Sequence, residues 1–202
     1  MAAETAVQEP ETGQQPIPAY LIHETLNGKP LYRKGYKDVL AKRKTPGEIM
    51  GCSDLQAIIV STLFFYLSTV ANRKLYWVVT NEPGLHIGPG DNLANDIAFY
   101  EKDKISVKGK FFSVAPKVAI EVDIKIDPEG SPASGLDYVH QKTQAMFDFG
   151  TERVIWIITE SCQVIMATKG ENWLTCDWSQ TIPVLDGITM NVAAVLTEEG
   201  VL

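Results

Sequence analysis

The sequence predicts an α/β fold with a central mixed sheet flanked by helices. Three observations carry that expectation. Apolar residues recur at steps of three and four over 54–70. Short β-rich runs follow at 74–80, 93–100, 118–126 and 153–159. A second helical pattern over 137–149 separates two of these runs. Helices interleaved with strands in this way pack on both faces of one sheet, and a direct return such as that from 153–159 to 161–167 makes the sheet mixed.

The elements follow in order. Residues 1–18 are rich in Gln, Glu and Pro and are expected to form a disordered tail, with 19–202 as a single domain. Tyr20, Leu21 and Ile22 suggest a brief strand. The run Lys42-Arg43-Lys44, followed by Thr45-Pro46-Gly47, reads as a solvated linker. Ser53 or Asp54 can cap the first long helix. Its stripe of Leu55, Ile58, Ile59, Thr62, Leu63, Tyr66 and Val70 is widened by Phe64, Phe65 and Leu67, so the helix is expected to be covered on most sides. Its apolar run from Ala57 to Leu67, 11 residues with Ser61 and Thr62 inside it, is short for a membrane span. Residues 74–80 form a strand and Asn81-Glu82-Pro83-Gly84 a turn. Residues 93–100 read as one strand carrying Asp96. Residues 101–110 hold four lysines in an exposed turn. Residues 118–126 are the next strand and 127–134 a Pro/Gly/Ser loop. Gly150 ends the second helix, and 153–159 and 161–167 return as an antiparallel pair. Trp77 and Trp156 are expected in the core.

Composition narrows the function classes. The chain has 202 residues, 45% of them hydrophobic, and 18 basic against 25 acidic side chains for a net charge of −7. That excludes a basic nucleic-acid coat or a polybasic membrane binder, while leaving room for a locally positive cleft. Cys52, Cys162 and Cys176 have no paired spacing, so no zinc or disulfide framework is legible, and a reducing cytoplasmic setting is expected. The first residues lack the basic and apolar regions of a signal peptide. No glycine-rich phosphate loop is present. Of His23, His86 and His140, His140 has the best claim to the mouth of a cleft.

The acids in the strands are the informative feature. In 118–126, alternation places Ala119, Glu121, Asp123 and Lys125 on one face, and Val118, Ile120, Val122, Ile124 and Ile126 on the other. The second face is core. The first would set two carboxylates about 7 Å apart with an ammonium beyond them. A solvated strand face would show the same alternation. Asp96 inside an apolar strand argues for a partner or a metal, and Lys142 on the following helix could reach back to the sheet. Carboxylates with a lysine suit phosphodiester hydrolysis. They hold a divalent cation through hard oxygens, the cation activates water and polarises phosphorus, and the lysine offsets growing negative charge.

The stretch from Asp96 to Gly150 resembles the PD-(D/E)XK, or restriction-endonuclease-like, superfamily. More closely it is similar to the bacterial Uma-two family, to which endonuclease activity is ascribed. The resemblance rests on Asn95-Asp96-Ile97-Ala98-Phe99-Tyr100, on Pro116 through Glu121-Val122, and on Lys142 through Ile158 with Gly150 between. Gly47-Glu48 before the long helix and Ile182 to Ile188 add to it, so that it spans roughly residues 45–190. It implies a restriction-endonuclease-like fold and a Mg²⁺-dependent deoxyribonuclease, with Mn²⁺ as a substitute. DNA would be the partner, a homodimer the working form, and no membrane would be involved. Asp96 and Glu121 would be metal ligands, with Asp123 close by, and Glu48 the additional N-terminal acid. Lys142 looks like the family's lysine moved from strand to helix, while Lys125 in Asp123-Ile124-Lys125 keeps the unmoved form, so two lysines compete. The chain departs from the pattern at Asn95, where proline is common, at Asp123-Ile124, where a Ser-Pro turn is common, and at Ser53, where histidine is frequent. Those departures keep open a silent site that serves binding or regulation.

Overall fold

The computed structural model describes residues 16–127 and 135–202. The expected tail therefore lies outside the described residues up to residue 15, and so does most of the expected loop, residues 128–134. Ile17 joins Leu21, Tyr36 and Val39 in a small apolar cluster.

The elements are β1 (Ile22–Leu26), β2 (Lys29–Tyr32), α1 (Tyr36–Leu40), α2 (Gly47–Met50), α3 (Asp54–Val70), β3 (Tyr76–Thr80), β4 (Gly84–Gly88), β5 (Asp91–Ala94), β6 (Ile97–Glu101) and β7 (Val118–Val122). They continue with α4 (Gly135–Phe149), β8 (Arg153–Ile158), β9 (Gln163–Thr168), β10 (Leu174–Asp177), β11 (Thr181–Leu185), β12 (Ile188–Asn191) and α5 (Val192–Glu198). The main sheet has the order β10-β9-β8-β7-β6-β3, and a second sheet the order β2-β1-β5-β4. Only β7 and β8 run parallel within the main sheet; their crossover carries α4. The central sheet is mixed, as the sequence predicts.

One face of the main sheet is the β-branched face expected from alternation. Val118, Ile120 and Val122 pack there with Ile59, Leu63 and Leu67 of α3, with Leu196 of α5 and with the β11–β12 hairpin. The other face carries Ala98, Tyr100, Ala119 and Trp156 beneath α4 and the smaller sheet. Trp156 Nε1 donates to Thr143 Oγ1 at 3.0 Å, so the indole is buried with its polar atom satisfied.

Several local expectations change. The 93–100 run is two strands in two sheets, with Asn95-Asp96 at the joint between β5 and β6. The 118–126 strand stops at Val122, because Asp123 takes a left-handed φ of 62°. Aspartate is one of the few non-glycine types that tolerates this region. The α3 helix has one covered face rather than most of its surface: Leu55, Ile58 and Phe65 are exposed. With α2, the stretch Gly47–Val70 has the length and apolarity of a membrane span, 24 residues containing an 18-residue window of mean hydropathy 1.4, although residues 51–53 between the two helices are not helical and the unbroken apolar run is shorter. Trp77 lies on the edge strand β3 and is half exposed, with Lys102 Nζ 3.9 Å from its ring. Trp178 is buried, and its Nε1 donates to Gln163 O.

Candidate metal-dependent phosphodiesterase site

Asp96 is placed by the joint between the two sheets. Its backbone N–H donates to Ile120 O at 3.2 Å, and its Oδ2 accepts from Val122 N at 2.8 Å. Those contacts bracket Glu121, and Asp96 lies near enough for its charge to raise the Glu121 pKa at the end of β7. Asn95 completes the joint, with Nδ2 donating to Glu121 Oε1 at 2.6 Å. Asp96 lines a cleft of about 910 Å³, whose walls include Gln56, Thr80, Glu82 and Lys125. Glu121 is 4% exposed and sits on the α4 face of the sheet, the face of Ala119.

Lys142 reaches back from α4, as its position in the sequence allowed. Its Nζ lies 3.0 Å from Glu121 Oε1, and it donates to Glu24 Oε1 and to Ala94 O, each at 2.7 Å. Glu24 also accepts from Ala94 N at Oε1 and from Tyr138 OH at Oε2. The N-terminal acid that joins the cluster is therefore Glu24 of β1. Glu48 lies on the exposed short helix α2 at the cleft wall, where its carboxylate accepts from the backbone N–H and the hydroxyl of Thr45. No local pattern marks Glu24, because its partner lies 118 residues away in sequence. The one available signal was an acid within the otherwise mixed segment Ile22-His23-Glu24-Thr25-Leu26.

Lys125 takes the other half of the site. Its Nζ donates to Asp96 Oδ1 at 2.5 Å and to Glu82 Oε1 at 3.2 Å. It arrives there because β7 has ended: Lys34 N donates to Lys125 O, and Arg33 pairs with Ile126 in an isolated bridge, so this segment follows the 32–34 backbone. Asp123 lines the same cleft as Asp96, but its carboxylate is taken up by Thr159. Its carboxylate accepts from Thr159 N at 2.8 Å and from Thr159 Oγ1 at 2.7 Å. His140 stacks on Trp173 with ring centroids 4.1 Å apart, and it does not line the cleft.

The electrostatics single out Glu121. Burial raises its pKa, Lys142 pulls it down, Asp96 and Glu24 push it up, and the balance is about 7. For Lys142, burial opposes the charge, but Glu121 and Glu24 outweigh it and hold the ammonium well above its ordinary value. Glu24 feels the same burial penalty and is nevertheless held below its ordinary value, chiefly by Lys142.

Three buried carboxylates, Glu24, Asp96 and Glu121, thus face the ammoniums of Lys142 and Lys125. The pKa of Glu121, raised to about 7 first by burial and then by Asp96 and Glu24, reflects that shortfall of positive charge. A divalent cation would supply that charge, and its hard-oxygen preference matches Asp96 and Glu121. Asn95 Oδ1 adds a buried oxygen without a hydrogen-bond partner beside them. Among the described residues, no three His, Cys, Asp or Glu side chains form a ready cage. Mg²⁺ does not require one, since one or two carboxylates with water and substrate oxygens suffice. The donor set fits such an ion.

No family model matches the chain, and no curated protein matches it. Among solved structures it is similar to the crystal structure of "a putative nuclease belonging to DUF820" from Anabaena variabilis ATCC 29413. The two are 16% identical with a TM-score of 0.61, over 86% of this chain and 89% of that one. DUF820 is the Uma-two family of the PD-(D/E)XK superfamily. At this identity the likeness is one of fold, and the chain has the restriction-endonuclease-like α/β fold that its sequence resemblance implied.

Proposed function

We propose that the protein is a metal-dependent endonuclease that hydrolyses phosphodiester bonds of DNA. The observation that carries this reading is Asp96 held beside Glu121 at the end of β7, near enough for their charges to interact, with Lys125 on Asp96 at the cleft wall. Asp96 and Glu121 would hold Mg²⁺ or Mn²⁺, which would supply a Lewis acid for the scissile phosphate and a lowered pKa for attacking water. Of the two competing lysines, Lys125 lines the cleft, where its ammonium offsets negative charge growing on phosphorus. Lys142 is 1% exposed and positions Glu121 through their ion pair. Asn95 fixes the same carboxylate from the other side. Cutting both strands of a duplex needs two such sites, which a homodimer provides.

The test is nicking of supercoiled plasmid with Mg²⁺ or Mn²⁺. Wild type nicks, whereas Asp96→Ala and Glu121→Ala each lose at least about a hundredfold in rate, the scale set by removing electrostatic stabilisation from a transition state. Uncut plasmid with wild-type protein and either metal defeats the reading. One observation favours a second reading, a silent site used for binding or regulation: both acids already carry lysine partners. Under that reading the protein binds DNA without turnover.

A further inference from the structure

Among the cations that line the main cleft, Arg33 is one that the site chemistry leaves unused. It lies half-buried at the point where the chain passes from β2 toward α1. Its Nε is buried without a hydrogen-bond partner, and among the described residues its guanidinium forms no ion pair or hydrogen bond. An arginine donor left unsatisfied at a cleft wall is costly unless something else satisfies it.

Its position is fixed by the backbone. Arg33 N donates to Leu21 O, Lys34 N to Lys125 O and Asp127 N to Tyr32 O, and Arg33 itself bridges to Ile126. Arg33 therefore lies on the strand segment beside the one that presents Lys125. Its charge is felt by Glu82, the same carboxylate that accepts from Lys125 Nζ, and by His23. His23 Nδ1 is also buried without a partner. Arg33 and Lys125 thus place two cationic groups around Glu82, next to the carboxylates that would hold the metal. A phosphate meets a guanidinium through two parallel hydrogen bonds, which Lys125, a point charge, cannot supply.

We infer that Arg33 is a phosphate-binding residue of this cleft, its guanidinium taking the non-bridging oxygens of the nucleic-acid backbone beside Lys125. The assignment rests on the endonuclease reading for its ligand. Its test is binding, measured without metal so that cleavage plays no part.

The probe is a fluorescein-labelled 20-base-pair duplex, followed by anisotropy in EDTA over a range of salt concentrations. Lys29→Ala, an exposed lysine of β2 away from the cleft wall, controls for the loss of one positive charge. Arg33→Ala weakens binding roughly tenfold and lowers the salt slope by about 0.9, the loss of one phosphate contact. Arg33→Lys keeps the slope but recovers only part of the affinity, because the fork is gone. Melting curves confirm that each variant is folded, and Arg33→Lys carries the test if Arg33→Ala is not.

If Arg33→Ala binds like Lys29→Ala while wild type binds and nicks, the inference is overturned and the nuclease reading stands. If wild type binds, Arg33→Ala is weakened and nothing is nicked, Arg33 keeps its role and turnover is lost from the account. If wild type does not bind the duplex at any salt concentration, both fall.

Discussion

Glu121 is the residue on which pH acts. Its folded-state pKa of about 7 lies above the ordinary 4.5, so between these values the folded protein binds more protons than the unfolded chain. Its contribution to stability is present below about pH 4.5, falls as pH rises, and is lost above 7. Glu24 works in the opposite sense: held below its ordinary value, it stabilises above that value and loses this as pH falls. Urea melts at pH 5, 6 and 7.5 check the first statement. Wild type loses stability across that range through Glu121, and Glu121→Gln flattens the slope. An unchanged slope in the variant would show that another group titrates. The two lysines also separate at this scale. Lys142→Met leaves Glu24 and Glu121 buried without their counter-ion and costs about 3–5 kcal/mol. Lys125→Ala takes a partly solvated ammonium from buried Asp96, which keeps its bond from Val122 N, and costs about 1.5–3 kcal/mol, less than Lys142→Met, yet it abolishes nicking. Denaturation midpoints and plasmid assays on both variants distinguish a structural lysine from a lysine of the cleft.

At the scale of elements, the end of β7 does most to build the site. Asp123 turns the chain through its positive φ and pins it to Thr159. Asp123→Ala removes two hydrogen bonds and a residue type suited to that conformation, and should cost about 2 kcal/mol by chemical denaturation. A change near zero would mean that the turn holds without its side chain. Ser53 caps α3, its Oγ accepting from Gln56 N, and Gln56 then donates to Val122 O at 2.7 Å. The start of α3 is thereby tied to the strand that carries Glu121. Strands β3 and β6 to β9 of the main sheet and both long helices were legible because burial of one face repeats at a fixed period, whereas the brief strand expected at Tyr20–Ile22 is a 3-10 turn over Ala19–Leu21 that leads into β1. Three features were not. The β5–β6 break was hidden because Asn95-Asp96 sits between apolar residues that continue one alternation. The end of β7 was hidden because Ile124 and Ile126 extend the β-branched pattern past the turn. Glu24 was hidden because its role depends on Lys142, which only the folded chain brings near.

For the whole molecule, the relation between charge and function is the useful one. A chain with a net charge of −7 repels nucleic acid at long range, so binding must be local and strongly salt-dependent. The cleft provides the local cations, Arg33 and Lys125 among them, beside the acids that would hold the metal. The fold alone leaves chemistry open, since the same scaffold can keep or lose turnover. What decides the matter is whether the proton carried by Glu121 stands in for a metal ion. Calorimetric titration with Mn²⁺ near pH 7, run in two buffers of different ionisation enthalpy, measures this directly. The account predicts saturable binding with release of a fraction of a proton, lost in Asp96→Asn and without proton release in Glu121→Gln. Absence of binding, or binding that survives both substitutions unchanged, would contradict it.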